Sequence, residues 1–280
     1  MKKTVYSSDH SGTRGLPRFG LMISYLAEAR HLAWQLTVRD IKALYRQSFL
    51  GLGWAFIMPV ANSVVWIFLQ VTGIIRIEST GMSYPLFAFS GALLWSVFME
   101  SLQAPLTMTT NAKSMLSKVS FPYEAILLSG IYQTIFNGLI KVILILAVFI
   151  SFGIYPGINL LLFPLAFLSL ILMGTAIGLF LTPVGMLYTD VGRSIPIILQ
   201  LLMYTTPVVF PIPSRGWISV FFHYNPLTQV FMPCRDWLTG TATIYMNGFL
   251  VVTGAMILLL LFSWMVYRLV MPVIVERMNA

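Results

Sequence analysis

Charge is what this chain of 280 residues has least of: Asp, Glu, Lys and Arg make up 9% of it, against 58% hydrophobic residues. A soluble globular domain carries about 25% charge, so a water-borne body of this composition would have too little polar surface to cover itself. Cysteine occurs once, at Cys234, which excludes both an intrachain disulfide and a cysteine metal cluster. The three histidines, His10, His31 and His223, are far apart and never form His-Glu-x-x-His, which argues against a metal site. There is no Gly-x-x-x-x-Gly-Lys-Ser/Thr loop, hence no phosphate cradle for hydrolysing a nucleotide. A serine or cysteine nucleophile would need a histidine inside an apolar run, and none lies there. Nor does a short apolar segment with a small-residue cleavage site follow Met1, so no cleaved signal peptide is expected.

What the sequence does have is long apolar runs. From Phe49 to Ile75 no charge interrupts 27 positions, more than the roughly 30 Å hydrocarbon core needs at about 1.5 Å of rise per residue. The pattern predicts an all-α membrane protein with six transmembrane helices, at about 50–75, 86–108, 124–152, 158–181, 194–211 and 244–270. A polar tail, 1–18, precedes a basic amphipathic helix over 19–48, and the transmembrane body spans 49–280. In that helix Met22, Tyr25, Leu26, Ala29, Leu32, Ala33 and Leu36 recur at helical spacing, while Glu28, Arg30 and His31 fall elsewhere on the wheel. Too polar to span, it lies flat at the interface, either as a membrane float or as a docking surface for a cytoplasmic partner.

Charge sets the orientation. Eight of the 17 Lys and Arg residues precede the first span. In the six-span topology thirteen lie inside, against Arg76, Arg215 and Arg235 outside and Lys141 in the membrane. Both termini are therefore expected in the cytoplasm. The net charge of +8 reads as this bias plus contact with anionic lipids, with no nucleic acid partner.

Smaller features follow in order. Pro59, Pro196 and Pro207 are expected kinks or bending points, and Gly174 and Gly178 have the small-xxx-small spacing of close helix contacts. Tyr188 to Arg193 reads as an inner polar turn. Residues 212–243 are neither span nor hydrated loop. Trp217, Phe221 and Tyr224 fall at i, i+4 and i+7 before an Asn225-Pro226 break, which predicts two short re-entrant helices. Glu100 and Lys141 are ionisable groups within spans, serving either a functional lining or a structural contact. Glu100 is expected nearer the cytoplasmic side and Lys141 in the outer half, so a pairing between them is not assumed. Many aromatics belong to interface belts. Trp54, Phe56, Trp66 and Phe68 in the first span, and Tyr204 and Phe210 in the fifth, are less easily placed there. Aromatic faces suit sugar rings, and Asn62, Ser63 and Gln70 could supply hydrogen bonds.

The segment Arg39-Asp40-Ile41-Lys42-x-x-Tyr45-Arg46-Gln47-Ser48-x-Leu50-Gly51-x-x-Trp54, with Pro59 soon after, resembles the membrane subunits of bacterial type-two ABC polysaccharide exporters. These handle O-antigen, capsule or teichoic acid. The Tyr188-x-Asp190-Val191-x-Arg193 turn and Asn225-Pro226-Leu227-Thr228 also match. The likeness covers nearly the whole chain from about residue 20. It implies a homodimer in the bacterial inner membrane bound to two copies of a cytoplasmic ATPase subunit, which would hold ATP and Mg; this chain itself would need no cofactor and would not be an enzyme. It also implies that the first and fifth spans line the path of a lipid-linked glycan, with Trp54, Phe56, Asn62, Trp66, Phe68, Gln70, Tyr204 and Phe210 as its channel residues. By the same likeness Asn111, Lys113, Ser114, Met115, Leu116 and Lys118 form a coupling helix on the ATPase, joined by Glu28 and Arg30. Trp217, Phe221, Tyr224, Asn225 and Pro226 form an outer gate. A type-two permease for a drug or small lipid is the alternative. An intramembrane transferase would need clustered His, Asp or Glu at one depth, which the sequence does not offer.

Overall fold

The computed structural model describes residues 19–46, 53–73, 81–116, 122–213 and 216–279. The outer turn with Arg76 and Glu78, together with Lys118, Arg215 and the 1–18 tail, lies outside the described residues, as do the side chains of Phe56, Asn62 and Ser114. Every regular element is helical, and there is no strand among the described residues. In chain order the helices are α1 Phe19–Arg46, α2 Trp54–Val71, α3 Tyr84–Asn111, α4 Lys113–Leu116, α5 Tyr123–Ser151, α6 Phe163–Leu187, α7 Thr189–Tyr204, α8 Trp217–Tyr224, α9 Pro226–Leu238 and α10 Met246–Asn279. A 3-10 turn, Ile158–Leu162, leads into α6.

Four of these are long and apolar enough to cross a bilayer: Tyr84–Asn111, Tyr123–Ser151, Ile158–Leu187 and Met246–Glu276. α3 is the centre of the body, because its buried residues run all round it, from Phe87 and Leu93 to Phe98 and Leu106. On one side it meets α6 through small residues. A Cβ on Gly174 would stand 1.9 Å from Ser101 Oγ, and one on Gly178 would stand 2.0 Å from the Leu102 carbonyl oxygen. Only glycine permits that approach, so the expected small-residue contact is where α6 and α3 touch. On its other side α3 meets α5, with Gly130 over Ala104 and Met108, and Gly138 beside Val97. Rising numbers on α5 oppose falling numbers on α3, so the pair is antiparallel, whereas α3 and α6 run parallel.

One end of the bundle is closed by Leu116, Ile126, Leu179, Tyr267, Met271, Ile274 and Val275, from α4, α5, α6 and α10. α1 lies beside the same end of α5. Ala29, Ala33 and Leu36 pack on Ala125, and Thr37 Oγ1 donates to the Ala33 and Ser129 carbonyls at 2.8 and 3.3 Å. The buried residues fall on the apolar face that the helical spacing defines, while Glu28, Arg30 and His31 stay exposed.

Several boundaries differ from the sequence expectation, among them the end of α6, at Leu187 rather than near 181. The Tyr188–Arg193 turn is reduced to a break at Tyr188, because α7 starts at Thr189 and its first turn holds Asp190 and Arg193 on one exposed face, 4.0 Å apart. α7 ends at Tyr204 rather than near 211, just ahead of Pro207, which has no N–H to continue the ladder. α10 runs straight through Pro272 to Asn279. Its 34 residues span about 51 Å, and packing of Met271, Ile274 and Val275 outweighs the lost backbone hydrogen bond.

Candidate functional site

Two helices are only loosely built into this body, and both turn apolar side chains outward. α2 has an exposed stripe at helical spacing: Trp54, Ile57, Val60, Val64, Phe68 and Val71. α7 exposes Ile197, Ile198, Leu201 and Tyr204 while burying Ile195 and Leu199. The two helices meet through Trp66. Its ring stands edge-on to Phe210 at 4.8 Å and to Tyr204 at 6.1 Å between centroids. Such edge contacts add about 0.5–1.5 kcal/mol beyond area burial. Trp66, Tyr204 and Phe210, expected on one path, are thus brought together. Trp54 and Phe68 are on the other face of α2, half or more exposed, and Gln70 is half-buried.

The segment after α7 is held from a distance. α8 and α9 are the two short helices foreseen on either side of Asn225. Asn225 caps α9 by accepting from the Leu227 N–H at 2.9 Å, and its Nδ2 donates to the Thr205 carbonyl at 2.7 Å. The stripe of Trp217, Phe221 and Tyr224 is exposed, with Tyr224 at 82%, whereas Phe222 is the residue of α8 that is buried. Pro226 opens α9 and is exposed.

Arg235, an outer loop cation by the charge count, is buried in the structure, at 2% exposure. Its Nη1 donates to the Pro207 carbonyl at 2.8 Å; its Nη2 donates to Val208 at 2.6 Å and to Phe87 at 3.4 Å. The guanidinium lies 3.8 Å over the Phe87 ring and 5.3 Å from that of Phe231. A lone arginine between Cys234 and Asp236 gives no sequence signal for this. Only the irregular, proline-bearing stretch after α7, with its unpaired carbonyls, hints that a donor is needed.

Lys141 and Glu100 do pair, despite their expected difference in depth: Lys141 Nζ donates to Glu100 Oε1. Cα–Cβ bonds tilt toward each helix's N-terminus. On antiparallel α3 and α5 the two side chains therefore lean toward one another and close the gap.

At the opposite end, Asn111 and Lys113 are exposed and Met115 is half-buried. Leu116 is buried against α10, and the Thr109 and Tyr267 hydroxyls are hydrogen-bonded at 3.1 Å. An ion pair, Arg268 to Glu124 at 3.6 Å, ties α10 to the start of α5 there.

A helical bundle with four helices long and apolar enough to cross a bilayer, an ion pair between two of them and exposed apolar faces on α2 and α7 is that of a multi-pass membrane protein. The chain belongs to the ABC-2 type transporter family, whose model matches residues 31–238. Relatives support this. The O-antigen export system permease protein RfbA of Myxococcus xanthus is 27% identical over 212 residues, 75% of this chain and 80% of that protein. An RfbA permease of Klebsiella pneumoniae is 23% identical over 220 residues, 77% and 80% of the two chains. The polysialic acid transport protein KpsM of Escherichia coli is 24% identical over 206 residues, 72% and 78%.

Proposed function

We propose that this chain is the transmembrane subunit of an ATP-driven exporter that moves a lipid-linked polysaccharide, with O-antigen the first candidate, out across the bacterial inner membrane. In this reading it has six spans, α2 and α7 supplying the first and fifth, with both termini in the cytoplasm. Two copies pair and bind two copies of a separate ATPase subunit, which holds ATP and Mg. The observation that carries the reading is the aromatic corner of Trp66, Tyr204 and Phe210, set between two unpartnered apolar helix faces.

A second copy facing those stripes would enclose a path along α2 and α7, where aromatic faces stack on sugar rings. ATP closes the partner subunits. The α4 segment passes that movement into α3 and, through Leu116, into the cytoplasmic end of α10. The paired α2 and α7 then separate, and the glycan slides outward from the inner leaflet.

Depletion of the protein in its own host tests this. Extraction should recover long glycan on its lipid carrier from the cells while the surface loses it. Unchanged surface glycan with no intracellular accumulation contradicts the polysaccharide reading.

A further inference from the structure

Below Tyr204 the chain leaves the helix, and its carbonyls are bonded by side chains of another element. The Thr205 carbonyl takes Asn225 Nδ2; the Pro207 and Val208 carbonyls take the two ends of the Arg235 fork. Thr206, Val208 and Val209 are wholly buried. α3 has made room for this arrangement. A Cβ at Gly91 would fall 1.9 Å from the Val208 oxygen and 2.3 Å from Arg235 Nη2.

A guanidinium is costly to bury. Arg235 forms no ion pair among the described residues, and its Nε has no acceptor there. An apolar side chain in its place would avoid that desolvation cost. The fork does something an apolar group cannot: it holds two successive carbonyls at a defined place, and it can release them. Two residues beyond Val208, Phe210 stands against Trp66 of α2.

We propose that Arg235 is a positioning residue that latches the segment 205–210 against α3, keeping Phe210 on Trp66 and the α8–α9 end of the α2/α7 corner shut. Opening that end requires the fork to leave the Pro207 and Val208 carbonyls. That a substrate passes there rests on the proposed export function; the latch itself does not.

The test is the reactivity of a cysteine at Val209→Cys toward a bulky charged maleimide. It uses the full-length chain in nanodiscs with its ATPase subunit, and the buried native Cys234 provides the baseline. Without nucleotide Val209→Cys should be protected. Adding Arg235→Gln should raise its labelling rate roughly tenfold or more, the effect of losing charge-assisted hydrogen bonds. Arg235→Lys, with charge but no fork, should fall between. An unchanged rate in folded Arg235→Gln protein overturns the latch. Gly91→Ala displaces the Val208 carbonyl and the guanidinium without changing the identity of residue 235, so it should label faster too, and protection there overturns the proposal equally. Should neither variant fold, Arg235→Lys decides: it must label faster than Val209→Cys alone, and an equal rate sinks the latch. Labelling is read without any glycan, so failed export with working labelling would refute the function and spare the latch.

Discussion

Lys141 on α5 and Glu100 on α3 form an ion pair inside the bundle, and its two ends are unequally covered: the lysine side chain is 2% exposed and the glutamate 40%. The lysine is therefore the group that depends on its partner. Glu100→Gln leaves a buried ammonium facing a neutral amide, and breaking a buried pair in this way costs about 3–5 kcal/mol. Lys141→Met leaves a carboxylate on a side chain that is 40% exposed overall, although its Oε2 is buried with no hydrogen-bond partner among the described residues. Thermal unfolding followed by size-exclusion chromatography should show a larger drop for Glu100→Gln than for Lys141→Met. The double Glu100→Gln, Lys141→Met variant should recover much of the loss.

The contact of α6 with α3 gives a second prediction. Gly178→Ala places a methyl 2.0 Å from the Leu102 carbonyl oxygen, and overpacking of this kind costs about 1–3 kcal/mol or more. Gly254→Ala on α10 meets nothing within 4 Å. Yield and thermal midpoint should fall for the first and stay level for the second.

The exposed stripes of α2 and α7 predict where a second copy sits. Single cysteines at Val64 or Ile198 should form cross-linked dimers in membranes, while a cysteine at Val251, 72% exposed on α10, should not. Buried Cys234 should remain silent in all three.

The α4 segment should divide into two kinds of residue. Leu116→Ala removes a side chain from the buried cluster with Met271, Ile274 and Val275 and should lower the thermal midpoint by an amount equivalent to about 2 kcal/mol. Lys113→Glu, on an exposed residue, should leave thermal unfolding unchanged and reduce the ATPase that co-purifies with the chain.

Hydropathy placed the four long apolar helices α3, α5, α6 and α10, because a bilayer permits few alternatives to long apolar helices. The apolar face of α1 and the break at Asn225 were legible too, since helical spacing and an Asn-Pro pair are local signals. What remained hidden depends on three-dimensional partners. The spacing of Trp54, Trp66 and Phe68 could not say that Trp66 faces the body while the others face away, because no charge marks either face of that run. Arg235 read as an outer cation because its carbonyl acceptors are 27 and 28 positions away. The Lys141–Glu100 pair was missed because residue counting gives Cα depths, not the directions in which long side chains lean.

The most direct measurement of the central claim is transport in proteoliposomes containing this chain and its co-purified ATPase subunit, loaded with labelled lipid-linked polysaccharide. The account predicts ATP-dependent transfer of the glycan to the opposite leaflet, lowered by roughly tenfold in Trp66→Ala, an estimate based on the loss of an aromatic contact. ATP hydrolysis with no movement of glycan, in protein that is folded and dimeric, would contradict it.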